Sequence, residues 1–252
     1  MGLPKLVKLF KEETMPQYSD DLWLGSALGP QSQGWAGPGA VFAGVGPLGR
    51  VYIFDIVPAT LSATAVAAAQ AVAAAGNATI NGASASGGVA TFDYARAVSA
   101  VSSNAGDTTQ TVTVYGTDYW GQAQTETLTL NGTTTVNGKK AFKTITRAAV
   151  SAALAGNLSV GNNDIFGLPY RVNDAGYLLR TGWNGAVADN AGTFVAADAT
   201  SPATATTGDV RGTFSPTTAA NGSRRLVIAI GLTAVQAGPN ATQAGAIGVV
   251  PA

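Results

Sequence analysis

Past residue 48 the chain is punctuated by Asn-Gly: Asn81-Gly82, Asn131-Gly132, Asn137-Gly138, Asn184-Gly185 and Asn221-Gly222. Asn and Gly accept the two positive φ angles of a type I′ turn, so between alternating apolar residues this dipeptide is the strongest short-range signal for a β-hairpin. A chain punctuated in this way is predicted to be built of antiparallel hairpins. The runs between the turns read as strands at 50–57, 89–94, 109–115, 124–130, 141–150, 169–172, 176–181, 193–196, 210–214 and 224–232. Their spacing suits a sandwich or barrel.

The two-residue period is clearest in Thr109-Gln110-Thr111-Val112-Thr113-Val114-Tyr115 and in the run from Gln124 to Leu130. In the second, Leu128 and Leu130 share one face and Thr125, Thr127 and Thr129 the other, as a half-buried antiparallel strand requires. The link between the runs, from Gly116 to Gly121, closes a hairpin with a glycine at each end, where unusual backbone angles are tolerated. One segment points the other way. Residues 62–75 are mostly alanine, with Ser62 placed to cap and Gly76 just past the end, the best helix candidate in the chain. A short helix is expected near its start and extended chain after it, because propensity yields to surrounding strands.

Composition limits the chemistry. The 252 residues include no His and no Cys, which removes imidazole bases, thiolate nucleophiles and Cys/His zinc sites. Fourteen Lys/Arg balance fourteen Asp/Glu, so no basic footprint points to nucleic acid as a partner. Only 11% of residues are charged, against roughly a quarter in an ordinary soluble protein. Strand-rich monomers usually protect their sheet edges with charge. A chain that carries so little is expected to cover much of its surface in an assembly, including a homo-oligomer, unless Thr, Asn and Gln keep it soluble. The longest uncharged stretch, 56–92, is broken by Pro58, several Gly and many polar residues. It is too weakly apolar for a transmembrane helix, and no membrane partner is expected.

Residues 1–47 form a separate regime, read as an N-terminal arm ahead of a body spanning 48–252. At its start Leu3, Leu6, Val7 and Phe10 fall on one helical face and Lys5, Lys8 and Lys11 largely on the other, a short amphipathic helix. Lysines interrupt every turn until Glu12 and Glu13, which does not suit a secretory signal. Met15 opens a new composition and is an alternative start to Met1. From Pro16 to Pro47 the chain is rich in Gly, Pro, Ser and Gln, yet it carries Trp23, Leu24, Trp35 and Phe42. A merely flexible linker has no use for large apolar side chains. An arm that docks uses them as anchors, and one folded back on its own core buries them equally well. Trp23, Leu24 and Trp35 are the candidate partner-binding residues.

The motifs that look chemical are weak. Gly44-Val-Gly-Pro-Leu-Gly49 matches G-x-G-x-x-G but precedes a strand instead of opening a helix, so it reads as a tight entry turn. The segment Gly132 to Lys140 has one residue too many for a phosphate loop, and Lys140 stands where Ser or Thr is needed. Lys139, Lys140, Lys143 and Arg147 read as a solvated strand face, or as a basic patch for an acidic partner. The sequons at Asn77, Asn131, Asn157, Asn221 and Asn240 follow from turn composition. Asp118 and Glu126 lie on one hairpin, but nothing in their spacing marks a glycosidase pair. Asp174, Asp189, Asp198 and Asp209 sit in loops, where Asp serves local hydrogen bonding. Asn162-Asn163-Asp164 lacks the spacing of a calcium loop. No catalytic residue, metal site or cofactor is expected.

A set of turn and strand segments does resemble a known class. Gly44-Val-Gly-Pro-Leu-Gly-Arg-Val-Tyr, Gly116-Thr-Asp-Tyr-Trp-Gly-Gln with Thr125-Glu-Thr, Gly138-Lys-Lys-Ala-Phe-Lys-Thr-Ile, Gly156-Asn-Leu-Ser-Val-Gly, Gly167-Leu-Pro-Tyr-Arg-Val, Thr207-Gly-Asp-Val-Arg-Gly-Thr-Phe and Gly238-Pro-Asn-Ala-Thr are similar to segments of virion structural proteins of tailed bacteriophages. The resemblance covers roughly residues 44 to 252. It implies a non-enzymatic capsid decoration or cement protein on the head surface, made in the bacterial host cytoplasm and bound to the major capsid protein. The expected body is an antiparallel β-sandwich of jelly-roll or Ig-like type, as one unit or as two packed β subdomains divided near residues 155–175. Two other readings stay open: a tail or fibre component whose sandwich binds a surface glycan through Trp120 or Trp183, both expected in turns, and a hydrolase using two carboxylates.

Overall fold

The computed structural model describes residues 48–183, 192–233 and 244–245. The arm with Trp23, Leu24 and Trp35, the Asn184-Gly185 turn and Asp189 therefore lie outside the described residues. The described chain is all-β and antiparallel. Its first half contains β1 (Leu48–Ile56), the short strands β2 (Ala67–Ala71), β3 (Gly76–Ala78) and β4 (Ala85–Ser86), then β5 (Val89–Ser102), β6 (Thr111–Thr117), β7 (Ala123–Thr129) and β8 (Val136–Val150). The second half contains β9 (Asn157–Gly167), β10 (Arg171–Val172), a 3-10 turn at Ala175–Tyr177, β11 (Leu178–Trp183), β12 (Gly192–Val195), β13 (Thr213–Pro216), β14 (Leu226–Thr233) and β15 (Ala244–Gly245).

A ten-stranded sheet runs in the order β12-β13-β9-β5-β8-β6-β7, with β2, β3 and β4 added to β9, β8 and β5 respectively. A separate three-stranded sheet, β1-β14-β11, joins the first and last long strands of the body. Two cores result. One lies inside the curved large sheet around Phe92, Val98, Val112, Val114, Leu128, Phe142, Ile145, Leu158 and Val160. The other lies between the large sheet and the small one, where Tyr94, Phe166 and Phe214 meet Leu226, Ile228 and Ile230.

The alternation in β7 is realised as its sequence demands: Gln124 and Leu128 are buried, while Ala123, Thr125, Thr127 and Thr129 face solvent. The hairpin with β6 is in perfect register from Thr111↔Thr129 to Thr117↔Ala123. Gly121 closes it at φ +82. Gly116 serves differently, since it lies within β6 where the pairing with β8 shifts. A Cβ there would run into the carbonyl oxygen of Thr144. Gly116→Ala is therefore expected to cost roughly 1–3 kcal/mol by forcing β6 and β8 apart, measured by urea unfolding against Gly76→Ala, where a Cβ meets open space and φ is not positive.

The structure corrects four expectations. No helix forms at the start of 62–75: residues 63–66 turn, and β2 follows. The turn is held by the neighbouring strand, since Val66 N–H donates to Val160 O (3.0 Å) and Asn162 N–H to Ser62 O (3.0 Å). Helix propensity worth tenths of a kcal/mol per residue loses to these bonds and to burial of Ala65, Val66 and Ala67. Asn137-Gly138 is not a turn but lies inside β8, with Asn137 opposite Ser99 of β5. Lys139, Lys140, Lys143 and Arg147 do not share a solvated face. Lys140 is buried, with its Nζ donating to Pro202 O (3.2 Å), and Lys143 Nζ donates to Phe92 O (2.7 Å). Trp183 is not in a turn but in β11, opposite Leu226.

Candidate interaction surface

Exposed apolar side chains gather on the outer face of the small sheet. Over Ile53 to Ile56 of β1 the side chains alternate, so Phe54 and Ile56 pack on the second core while Ile53, 69% exposed, points out. Ile53 pairs with Ala229 of β14, and Ala229 with Arg180 of β11. A bulge between Leu178 and Arg180 sets Leu179 beside this row, 42% exposed. Val57, just after β1, extends the exposed apolar surface. Beside Arg180, this face carries a charge pair in which Asp55 accepts from Arg225 Nε (2.6 Å) and from its NH2. That contact holds the Asp55 carboxyl below its ordinary range. Both β1 and β11 are edge strands of this sheet.

A second exposed spot is the turn between β6 and β7, where Tyr119 and Trp120 stack edge to face with ring centres 5.0 Å apart. The turn is rigidly built. Asp118 Oδ1 accepts from the backbone N–H of Trp120 and of Gln122 (2.8 Å each). Its other oxygen forms a buried ion pair with Arg211, which also donates to Gln122 Oε1 (2.8 Å). Trp120 Nε1 donates to Pro169 O (2.8 Å), leaving about half of the indole exposed.

The carboxylates weighed for hydrolysis are committed elsewhere. Asp118 holds the turn and Arg211. Glu126 accepts from the backbone N–H of Lys139 (2.6 Å) and Lys140 (3.2 Å). Asp164, in mid-strand and not in a cation loop, pairs with Arg96 at 2.6 Å and accepts from Ala220 N–H (2.8 Å). Asp198 accepts from the N–H groups of Thr206, Thr207 and Gly208, which hold its carboxyl below the usual range. Among the described residues no three Asp or Glu side chains gather to hold a metal ion, and no helix is long and apolar enough to cross a membrane.

Sequence reasoning missed the small sheet's outer face because its two edges lie far apart in the chain and only β14 brings them together. The alternation Tyr52-Ile53-Phe54-Asp55-Ile56-Val57 was the available signal, since it puts an isoleucine and a valine on the face shared with Asp55. No protein-family model, no curated protein and no solved structure matches the chain.

Proposed function

We propose that this chain is a non-enzymatic virion structural protein that binds the outside of a phage capsid and stabilises it as a decoration or cement protein, acting as a β-sandwich adhesion module. The observation that carries this reading is the apolar outer row of the small sheet. Large aliphatic side chains exposed together on a sheet whose outer strands β1 and β11 pair with no further described strand are a liability to a free monomer and an asset to a protein that docks. Two further features support it: the Asp118 and Glu126 carboxyls are engaged in structural bonds, and repeated copies on a lattice turn a modest interface into strong attachment. The sandwich reading is supported by the second core, which is closed by two sheets face to face. The capsid address itself comes from the segment resemblances. Residues 1–47 lead directly into β1, so an arm anchored by Trp23, Leu24 and Trp35 would adjoin the apolar row in the chain.

The test is co-sedimentation with purified phage heads. The full chain is expected to pellet with heads at a fixed ratio to the major capsid protein, and a chain beginning at residue 48 is expected to fold yet stay in the supernatant. Full occupancy by the shortened chain would overturn the role of the arm, and a full chain left in the supernatant would overturn the capsid reading. The locked, exposed Trp120 favours one second reading, a tail or fibre module that stacks a sugar ring on the indole. Binding to host polysaccharide instead of heads, lost in Trp120→Ala, would select it.

A further inference from the structure

The large sheet ends on β7, and the phase of its ladder shows which backbone groups face away from β6. Leu130 N–H donates to Gln110 O (2.9 Å) at one end of the hairpin, and Asp118 N–H to Gln122 O (2.9 Å) at the other. In an antiparallel ladder, opposed residues alternate between hydrogen-bonded and non-bonded pairs. With Thr111 opposite Thr129 and Thr117 opposite Ala123, the residues of β7 that bond to β6 are Gln124, Glu126 and Leu128. The N–H and C=O groups of Ala123, Thr125, Thr127 and Thr129 therefore point outward. No described group pairs with them.

The neighbouring edge of β8 is different. Residues 136–143 also lack a strand on the side away from β5, but side chains hold that edge. Glu126 accepts from Lys139 and Lys140 N–H, Asp209 Oδ2 accepts from Ala141 N–H (2.9 Å), and Gln124 Nε2 donates to Ala141 O (2.7 Å). No described side chain does the same for β7. Edge strands are commonly blunted by lysine, proline or a bulge, and Ala123–Thr129 has none of these. Its one charge, Glu126, is turned toward β8. A groove of about 470 Å³ runs along this edge, lined by residues 125–129 of β7, by Val136, Lys139 and Lys140 of β8, and by Ala203, Ala205 and Thr206 from the segment between β12 and β13.

We propose that the edge of β7 receives residues 22–29 of the chain's own N-terminal arm, which add to the large sheet as a further strand and fill the groove. Strand addition needs an extended segment with free backbone donors and side chains that the groove accepts. Between Asp21 and Arg50 the arm has no charged side chain, so it enters the groove without stripping a charge of water. Proline lacks the N–H that a ladder needs, and Pro30, Pro38 and Pro47 divide this uncharged stretch into three runs. Residues 22–29 match the seven residues of β7 in length, and a period of two puts Leu22, Leu24 and Leu28 on one side and Trp23 and Ala27 on the other. Residues 31–37 have no such apolar stripe, and 39–46 are joined to β1 through Pro47 alone, which leaves no chain to cross from the small sheet to β7. Residues 30–47 supply the tether for 22–29: extended, they reach about 60 Å, against a body roughly 45 Å across. A segment tethered in this way has an effective concentration of order millimolar, which favours the chain's own arm over a neighbour's. With the leucines on the buried side of β7, beside Leu128, Leu24 belongs to the body while Trp23 and Trp35 are left to face a partner, whether or not that partner is a capsid.

Native-state hydrogen exchange on the full wild-type chain, without heads, tests it. The outward amides of Thr125 and Thr127 are expected to exchange at least about 100-fold more slowly than exposed amides, although no described strand covers them. Leu24→Pro combined with Gly25→Pro removes the donor from two successive residues, one of which must face β7. That variant is expected to return both amides to exposed rates while Val112 and Val114 in β6 stay protected, and Gln33→Pro, outside the run, to change nothing. Thr127→Pro approaches from the other side: its N–H points away from β6, so the hairpin ladder survives, and the amides of residues 22–29 are expected to lose their protection. Exposed rates for Thr125 and Thr127 in the wild type would overturn the proposal. So would protection that survives the paired prolines, which would assign the edge to another segment, arm amides unmoved by Thr127→Pro, or protection that rises with protein concentration, which would assign the edge to a second copy.

Discussion

Replacing Asp164 by alanine is expected to lower the unfolding free energy by roughly 3–5 kcal/mol, because it strands a buried cation. Arg96 is fully buried in the middle of β5, among seven consecutive buried residues from Tyr94 to Ala100. Its guanidinium is held by Asp164 at 2.6 Å, by Ala59 O at 2.8 Å and more loosely by Asp93 at 3.5 Å, and it lies 4.9 Å from the centre of the Phe166 ring. Asp164 also anchors Ala220 N–H, so its loss opens a second bond between β9 and the segment before β14. The pair is nonetheless a poor source of net stability, since Arg96 Nε remains buried without a partner. Arg96→Met combined with Asp164→Leu is therefore expected to recover the part of the loss that comes from the stranded cation, leaving the cost of the unpaired Ala220 N–H, about 1–3 kcal/mol. Urea unfolding of Arg96→Met, Asp164→Leu and the double completes the cycle, with Asp164→Ala measured beside them. A loss below about 1 kcal/mol for Asp164→Ala would mean that Arg96 reaches solvent or another acceptor when its partner goes.

Asp164 also shows where the sequence was readable and where it was not. Strands with exposed faces announced themselves: β6 and β7 alternate because one side meets water, and the pattern gave their faces and the turn between them. The central strand β9 did not. Asn157 to Gly167 reads as polar turn material, with Gly161 and Asn162-Asn163-Asp164 in its middle, yet residues Val160 to Asp164 are all buried. Each of these residues has a tertiary reason. Gly161 is required because a Cβ there would strike the carbonyl oxygen of Ser62. Asn162 Oδ1 accepts from Ser62 N–H (2.7 Å), Asn163 Nδ2 donates to Val98 O (3.2 Å), and Asp164 meets Arg96. A buried strand carrying polar groups is specified by partners about 60 to 100 residues away, and no local period can show that. The same holds for Glu126, which looks like one more residue of an alternating strand yet accepts from Lys139 and Lys140 N–H, and for Asp209, which looks like a loop aspartate yet accepts from Ala141 N–H.

The double substitution Ile53→Lys with Leu179→Lys is expected to leave folding intact and to weaken head binding by at least about 30-fold, the equivalent of one interface anchor of 2 kcal/mol. Both side chains already stand in solvent, so removing them opens no cavity, and surface changes of this kind usually alter stability by no more than about 0.5 kcal/mol. Lysine on an edge strand is moreover the common natural device against unwanted pairing, so the variant should be less prone to self-association than the wild type. The inner face supplies the contrast. Phe54 and Ile56 alternate with Ile53 on the same strand, and changes there would act through the second core, lowering stability before they touched any partner. If Ile53 and Leu179 lie at the contact, binding to heads falls while the unfolding midpoint holds. If heads take up the lysine variant at wild-type occupancy, the outer row of the small sheet is not the docking surface. The arm would then have to carry the attachment alone, an outcome the chain shortened to residue 48 reports independently.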